Sequence, residues 1–273
     1  MAIVFTIACA VLYTTTAQPA GILQVWKDSI ENGGKVLPSQ LFRPRTGHAP
    51  HPVIVFLHGG GDGPFDVMNR QSLPSLLLNN QTFADTFPFI VITPCSTCSG
   101  GSHGWTAQNF AKIEELVSRV IVQYKGDPTR VSLTGQSMGG GGLWHYASKH
   151  IWSALVPVCA SIRPTQALAD AACCKGPSRG CCPPVWAFHG ANDQVVPVAA
   201  TDRMVEMLRA QNHRQQGSVA YTKYPDAPPP PMREFANLIG HGSYELAYRD
   251  ARLYEWLLQQ RCEECAQALK VAQ

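Results

Sequence analysis

The feature that most constrains this chain is a repeated alternation of short apolar runs with helix-length stretches of mixed polarity. The runs are Pro52–His58 (PVIVFLH), Phe87–Thr93 (FPFIVIT), Arg130–Gly135 (RVSLTG), Ala154–Ala160 (ALVPVCA), Val185–His189 (VWAFH) and Val219–Tyr224 (VAYTKY). Most are near-continuous in apolar residues rather than alternating with polar ones, and such strands suit a parallel sheet covered on both faces. Helices are expected at Trp105–Tyr124, Met138–His150, Ala199–Gln211 and Tyr244–Gln260, the last with apolar positions at Leu246, Leu253, Tyr254, Leu257 and Leu258. Strands and helices in this order imply βαβ units, hence an α/β fold with a mostly parallel central sheet and helices on both faces.

A chain of 273 residues with 45% hydrophobic and 15% charged side chains supplies one large core and is too apolar for a disordered chain. The net charge of +3 is small and the 22 Lys and Arg are scattered, so nothing calls for nucleic acid. Residues 1–18 read as a signal peptide, an apolar run (AIVFTIACAVLY) before small and polar residues, leaving 19–273 as a single domain. The run falls short of the roughly 20 apolar residues that a membrane-spanning helix requires, and no stable membrane insertion is expected. Ten cysteines suit an oxidising compartment, so a secreted, disulfide-bonded protein is the expectation. Asn80-Gln81-Thr82 fits a glycosylation acceptor, a triplet that often arises by chance.

Gly135-Gln136-Ser137-Met138-Gly139 fits Gly-x-Ser-x-Gly, and it follows an expected strand and opens an expected helix. That is the setting of a nucleophile elbow, in which Ser137 stands on a strained turn and its glycine neighbours let helix and strand approach. Gly140, Gly141 and Gly142 extend the run, although each helix-interior glycine costs about 1 kcal/mol relative to alanine, which implies close packing of the helix start on the sheet. His58-Gly59-Gly60-Gly61-Asp62-Gly63 follows the first long strand. Its backbone N–H groups, Gly60 first and Gly61 second, are candidates to share an oxyanion hole with the N–H of Met138. His58 is read as a structural anchor of that loop.

In this layout the acid follows a later strand and the base lies near the C-terminal end. Asp193 occupies the loop Gly190–Pro197 after the strand Val185–His189, and His241, in Gly240-His241-Gly242-Ser243, precedes the final helix. The roles are then Ser137 as nucleophile, His241 as general base and Asp193 as the group that orients the imidazole. Of the other histidines, His189 is expected in the core, His145, His150 and His213 on helix surfaces, and His103 in a loop that faces the site.

These segments, FLHGGGDG, GQSMGG, HGANDQVVP and GHGSYELAYRD, resemble the α/β-hydrolases of the phospholipase/carboxylesterase and dienelactone-hydrolase-like kind, a group that includes proteins described as predicted peptidases or feruloyl-esterase-like. The resemblance implies the α/β-hydrolase fold over nearly the whole mature chain, with nucleophile, acid and base at Ser137, Asp193 and His241. It also sets Trp105 near the substrate, where a core tryptophan is the competing reading, and Gly61 and Gln136 are taken with it as substrate-binding. Two departures stand out: a four-proline loop, Asp226–Ala236, longer than the usual link to the catalytic histidine, and the segment Cys173–Cys182, where relatives often insert a cap domain. The expectation is a disulfide-stapled loop there, no large cap domain and an open site for small-molecule or polymer-linked esters.

Cys95 with Cys98 and Cys262 with Cys265 have zinc-knuckle spacing, so a four-cysteine zinc site is the alternative to disulfides; triad hydrolysis itself calls for no metal or cofactor. Cys159 is expected buried and outside any pair. The expected activity is ester hydrolysis through an acyl-enzyme by a monomer, with peptide or amide cleavage by the same residues, or a binding protein without turnover, as alternatives.

Overall fold

The computed structural model describes residues 24–26, 37–45, 47–61, 65–98, 104–149, 151–173, 182–212 and 219–271. The expected signal peptide, His103, His150, His213 and the middle of the Cys173–Cys182 segment lie outside them.

One eight-stranded sheet organises the molecule: β1 (Gln24–Trp26), β2 (Ser39–Phe42), β3 (His51–Leu57), β4 (Ile90–Pro94), β5 (Gly126–Gln136), β6 (Ala154–Val158), β7 (Val185–Gly190) and β8 (Val219–Tyr224). Their order is β1-β2-β4-β3-β5-β6-β7-β8, antiparallel at β1–β2 and β2–β4 and parallel elsewhere. All six expected strands are present. The helices are α1 (Phe65–Met68), α2 (Ser72–Asn79), α3 (Gln81–Thr86), α4 (Ala107–Tyr124), α5 (Met138–Tyr146), α6 (Gln166–Ala172), α7 (Val198–Asn212), α8 (Ser243–Arg249), α9 (Ala251–Gln259) and α10 (Glu263–Val271).

Alternate residues of the strands feed two separate cores, which is why the strands read as unbroken apolar runs. Val53, Val55, Leu57, Val131, Leu133 and Leu155 point to the face covered by α4, α5 and α7, while Ile54, Phe56, Val91, Val156 and Phe188 point to the face covered by α2, α8 and α9. Helix α4 starts where the Thr106 hydroxyl accepts the Asn109 N–H and ends at Lys125, in the left-handed region at φ 56°.

Two expected helices come out differently. The span expected over Tyr244–Gln260 is divided at Asp250, whose extended backbone ends α8 and whose carboxylate caps α9 by accepting the Arg252 N–H at 3.0 Å. The helix expected to reach His150 closes at Tyr146, followed by a 3-10 turn at Ala147–Lys149. At the glycosylation triplet, the Asn80 side chain caps α3 by accepting the Phe83 N–H.

Within the β6–β7 connection the described residues hold α6 and the Cys173–Cys182 disulfide, and no cap domain. Cys95–Cys98 and Cys262–Cys265 are disulfides too, so their thiolates are not held for a zinc ion and the four-cysteine alternative falls. Cys159, placed by sequence on a strand, sits just past the end of β6, buried and outside these three bonds.

Among the described glycines the least room for a side chain is at the β5–α5 turn, where a Cβ on Gly139 would stand 2.1 Å from the Leu57 carbonyl oxygen of β3. Backbone on both sides leaves nothing that can yield. The variant Gly139→Ala is therefore expected to lose about 3 kcal/mol of stability in chemical denaturation, more than alanine at the exposed Gly47, which meets no neighbour and bears only the backbone strain of φ 89°.

Candidate active site

Strand β5 runs between β3 and β6, pairing Gly135 with Leu57 and Pro157, so its carboxyl end opens at the centre of the sheet. Ser137 follows with φ 52° and ψ −118°, a left-handed conformation that costs a residue with a side chain of the order of 1–3 kcal/mol. It is over-determined by the backbone around it: Ser137 N–H donates to the Val158 carbonyl at 3.0 Å, and the Ser137 carbonyl accepts from Gly141 and Ser161. The turn lifts the hydroxyl off the sheet while α5 packs back onto it. Gly135 faces the Gly139 carbonyl at 2.5 Å from where its Cβ would stand, and Gly142 accommodates the Trp105 ring.

Two loops bring partners to this hydroxyl. His241 Nε2 is 2.9 Å from Ser137 Oγ, and His241 Nδ1 is 2.8 Å from Asp193 Oδ2. The imidazole is 6% exposed and the carboxylate fully enclosed. Burial on its own raises the carboxyl pKa of Asp193, but hydrogen bonds from His189, His241 and the Val196 N–H outweigh it and hold the group well below the usual carboxylate range. Its other oxygen accepts the N–H groups of Val195 at 2.8 Å and Val196 at 2.9 Å, so the carboxylate is fixed independently of the histidine.

The turn that carries His241 is shaped by its neighbours. Gly240 lies in the left-handed region at φ 76°, with the Asn192 carbonyl 2.4 Å from where a Cβ would be, and Gly242 N–H donates to the Pro228 carbonyl at 2.8 Å. Asn192 bonds both ways with Ala227, through Nδ2 to its carbonyl at 3.0 Å and through Oδ1 from its N–H at 2.9 Å. The four-proline loop is thus pinned to the acid loop and the base loop together. Its 3-10 turn, Arg233–Phe235, also lays the Phe235 ring 2.8 Å from where a Cβ of Gly61 would stand.

On the opposite side, His58 is fully buried: Nδ1–H donates to the Gly59 carbonyl at 2.7 Å, and Nε2 accepts the Ser96 N–H at 3.0 Å. Ser96 is itself held between the disulfide partners Cys95 and Cys98. Trp105, half-buried, donates its indole N–H to the His58 carbonyl at 3.1 Å. These bonds tie back the carbonyls of His58 and Gly59, and exposed Gly60 lies against Met138, whose side chain is 3.8 Å from where a Gly60 Cβ would stand.

Of the sequence-expected residues, Ser137, Asp193 and His241 meet in one hydrogen-bonded line, and Gly60, Gly61 and Met138 lie beside it. Gln136 departs from expectation: expected beside the substrate, its side chain is 1% exposed and accepts a hydrogen bond from the Ser72 hydroxyl, which takes it into the β5–α2 contact. His189 is buried as expected, yet its Nε2 is 3.3 Å from Asp193 Oδ2, a contact that the strand position alone did not announce. Among the described residues, Cys159, Asp193 and His241 form the one cluster with metal-capable side chains, their donor atoms within 4.8 Å of one another. These donors are already engaged, the His241 ring with Asp193 and the Cys159 thiol with the His241 carbonyl at 3.8 Å.

A crystal structure described as a thermostable esterase matches 88% of this chain and 63% of its own length with a TM-score of 0.63 at 24% identity. A putative dienelactone hydrolase from Klebsiella pneumoniae matches 87% and 99% with a TM-score of 0.56 at 18% identity. The fold is that of the α/β-hydrolases. By sequence, a putative α/β hydrolase of Acanthamoeba polyphaga mimivirus is 26% identical over 65% of this chain and 68% of its own. A bifunctional acetylxylan esterase/xylanase of Neocallimastix patriciarum is 29% identical over 64% of this chain, which spans 24% of that protein. No family model matches the chain. Among α/β-hydrolases the carboxyl ends of the central strands are where the fold gathers functional loops, and here those ends are β3, β5 and β7.

Because the Asp193 carboxyl is held low, its charged form stabilises the fold above the ordinary aspartate pKa of about 3.9, and that contribution is lost as pH falls below it. The stability of the wild type relative to Asp193→Asn is expected to drop by about 2 kcal/mol between pH 7 and pH 2, read by urea denaturation at the two pH values.

Proposed function

We propose that this α/β-hydrolase is a serine esterase that cleaves carboxylic esters through an acyl-enzyme. The observation that carries the reading is the line Asp193–His241–Ser137, with contacts of 2.8 and 2.9 Å and its acid and base withdrawn from solvent. His241 Nδ1–H is directed at a carboxylate, which leaves Nε2 as the lone pair that can take the Ser137 proton. The left-handed turn at Ser137 keeps that hydroxyl clear of the sheet for attack on an acyl carbon.

As Ser137 Oγ bonds to the acyl carbon, its proton passes to His241 and negative charge gathers on the former carbonyl oxygen. The N–H groups of Gly60 and Met138 stabilise that oxyanion, with the loop carbonyls of His58 and Gly59 already bonded elsewhere. Collapse expels the alcohol, which takes the proton from His241. Water then gives a proton to the same nitrogen as its oxygen bonds to the acyl carbon, and collapse breaks the bond to Ser137 Oγ, which takes that proton back from His241 as the acid is freed. Gly61 and Phe235 form one wall of the entrance and Trp105 stiffens the other.

The description of one relative, an acetylxylan esterase, supports the choice of ester over amide. A secreted location is part of the same proposal, supported by three disulfides, as is an ester substrate free or polymer-linked, supported by the lack of a cap domain among the described residues. No helix among the described residues is long and apolar enough to cross a membrane.

Purified protein is expected to hydrolyse short p-nitrophenyl esters and to be labelled on Ser137 by a fluorophosphonate, located by peptide mass. Ser137→Ala is expected to abolish labelling and lower kcat by about 10⁴-fold or more. Turnover of peptide anilides without esters would overturn the ester reading, and unlabelled Ser137 in folded protein would favour a binding role.

A further inference from the structure

His189 is a buried, titratable side chain for which the mechanism above has no use. It is the last residue but one of strand β7, four residues before Asp193, and is fully enclosed. Its Nε2 faces two groups that can only accept, the Val196 carbonyl at 3.0 Å and the Asp193 carboxylate at 3.3 Å, so Nε2 carries a proton. In the neutral ring Nδ1 is then an acceptor, and the Thr201 hydroxyl of α7 supplies its hydrogen at 2.8 Å. Thr201, itself 4% exposed, thereby fixes the tautomer that aims an N–H at the acid.

We infer that His189 is a positioning residue of the hydrolytic site, a second imidazole that donates to the oxygen of Asp193 already bonded to His241 and so sets how strongly that carboxylate holds the base. The inference rests on the esterase reading above. Two imidazoles share Asp193 Oδ2, His241 at 2.8 Å and His189 at 3.3 Å, while Val195 and Val196 occupy Oδ1. Electron density drawn toward His189 is withheld from His241, so the longer bond tempers the shorter one. A scaffold that only needed to fill this space would use an apolar side chain, since a buried imidazole must have both nitrogens satisfied.

The titratable groups around the pair are His241 from the loop before α8, Cys159 past the end of β6, and Asp202 of α7, which is bonded to Lys223 and Tyr221 of β8. Removing the His189 donor leaves the carboxylate with a greater affinity for protons and for His241. The coupled Asp193–His241 pair then gains its proton at higher pH.

The test compares His189→Leu, His189→Gln and His189→Asn with the wild type. His189→Leu is expected to lower kcat/KM for p-nitrophenyl acetate about 10-fold with KM little changed, and to move the acid limb of the kcat/KM–pH profile up by about 0.5–1 unit. The glutamine amide reaches the Nε2 position and is expected to restore both readouts; the asparagine amide reaches only the Thr201 side and is not. A readout that needs no turnover is the NMR resonance of the His241 Nδ1 proton, which is expected to move downfield in His189→Leu as its bond to Asp193 tightens. Thr201→Val, which frees the tautomer, is expected to produce a smaller shift in the same direction and serves if His189→Leu does not fold. A variant with lowered Tm but an unmoved acid limb and an unmoved Nδ1 resonance would reduce His189 to a structural residue and overturn the inference. Failure of the wild type to hydrolyse esters or label at Ser137 would instead sink the esterase reading, with the resonance still reporting on His189.

Discussion

The arrangement depends on the closeness with which the first turn of α5 lies against the carboxyl ends of β5 and β3. A backbone carbonyl of β3 stands where the Cβ of any residue but glycine at position 139 would be, and the Gly139 carbonyl does the same to position 135. With the helix that near, the chain between strand and helix has room for a single residue in a left-handed turn, and Ser137 is that residue. Its hydroxyl projects beyond the sheet because the backbone beneath has no other path. The same glycine run that weakens α5 as a helix makes this turn possible, so local stability is given up where the proposed chemistry needs an exposed, fixed hydroxyl.

Around that turn, the loops that carry the other groups are held by hydrogen bonds to backbone groups. Asp193 is anchored by two N–H groups of its own loop, Gly242 by the Pro228 carbonyl, and the proline loop by both edges of the Asn192 amide. Such bonds fix direction as well as distance, and direction is what a proton relay through a planar imidazole requires. The buried carboxylate shows the balance most clearly: desolvation opposes its charge, and four N–H donors are gathered to overcome that opposition.

Much of this was legible in the sequence because it rests on local pattern. Apolar runs covered on both faces announce a parallel sheet, and a serine between two glycines after such a run announces the elbow. The first two strands were not legible, for physical reasons: Gln24–Trp26 is three residues long, and Ser39 and Gln40 are polar side chains buried at 3% exposure by their place in the sheet rather than by their own hydropathy. Helix α2 was masked by Pro74, which is tolerated because it sits in the first turn. The break at Asp250 was a capping event inside an apolar periodicity that spans it, and periodicity is blind to caps. Gln136 was expected beside the substrate, but as the last residue of β5 it turns its side chain to the face that meets Ser72.

His189 belongs to the same lesson from the other side. On a strand, a histidine among Val, Trp and Phe reads as core, and by burial it is core. What no single-strand pattern contains is that the loop Gly190–Pro197 turns back, so that the carboxylate four residues later comes to lie against the imidazole ring that precedes it. The Val196 carbonyl and the Asp193 carboxylate then converge on one nitrogen, and Thr201, one turn into the following helix, closes on the other. A strand end, a tight loop and a helix start thus give this acid loop a polar core of its own, and a loop with its own core can present Asp193 to His241 without relying on the substrate or on a cap domain to order it.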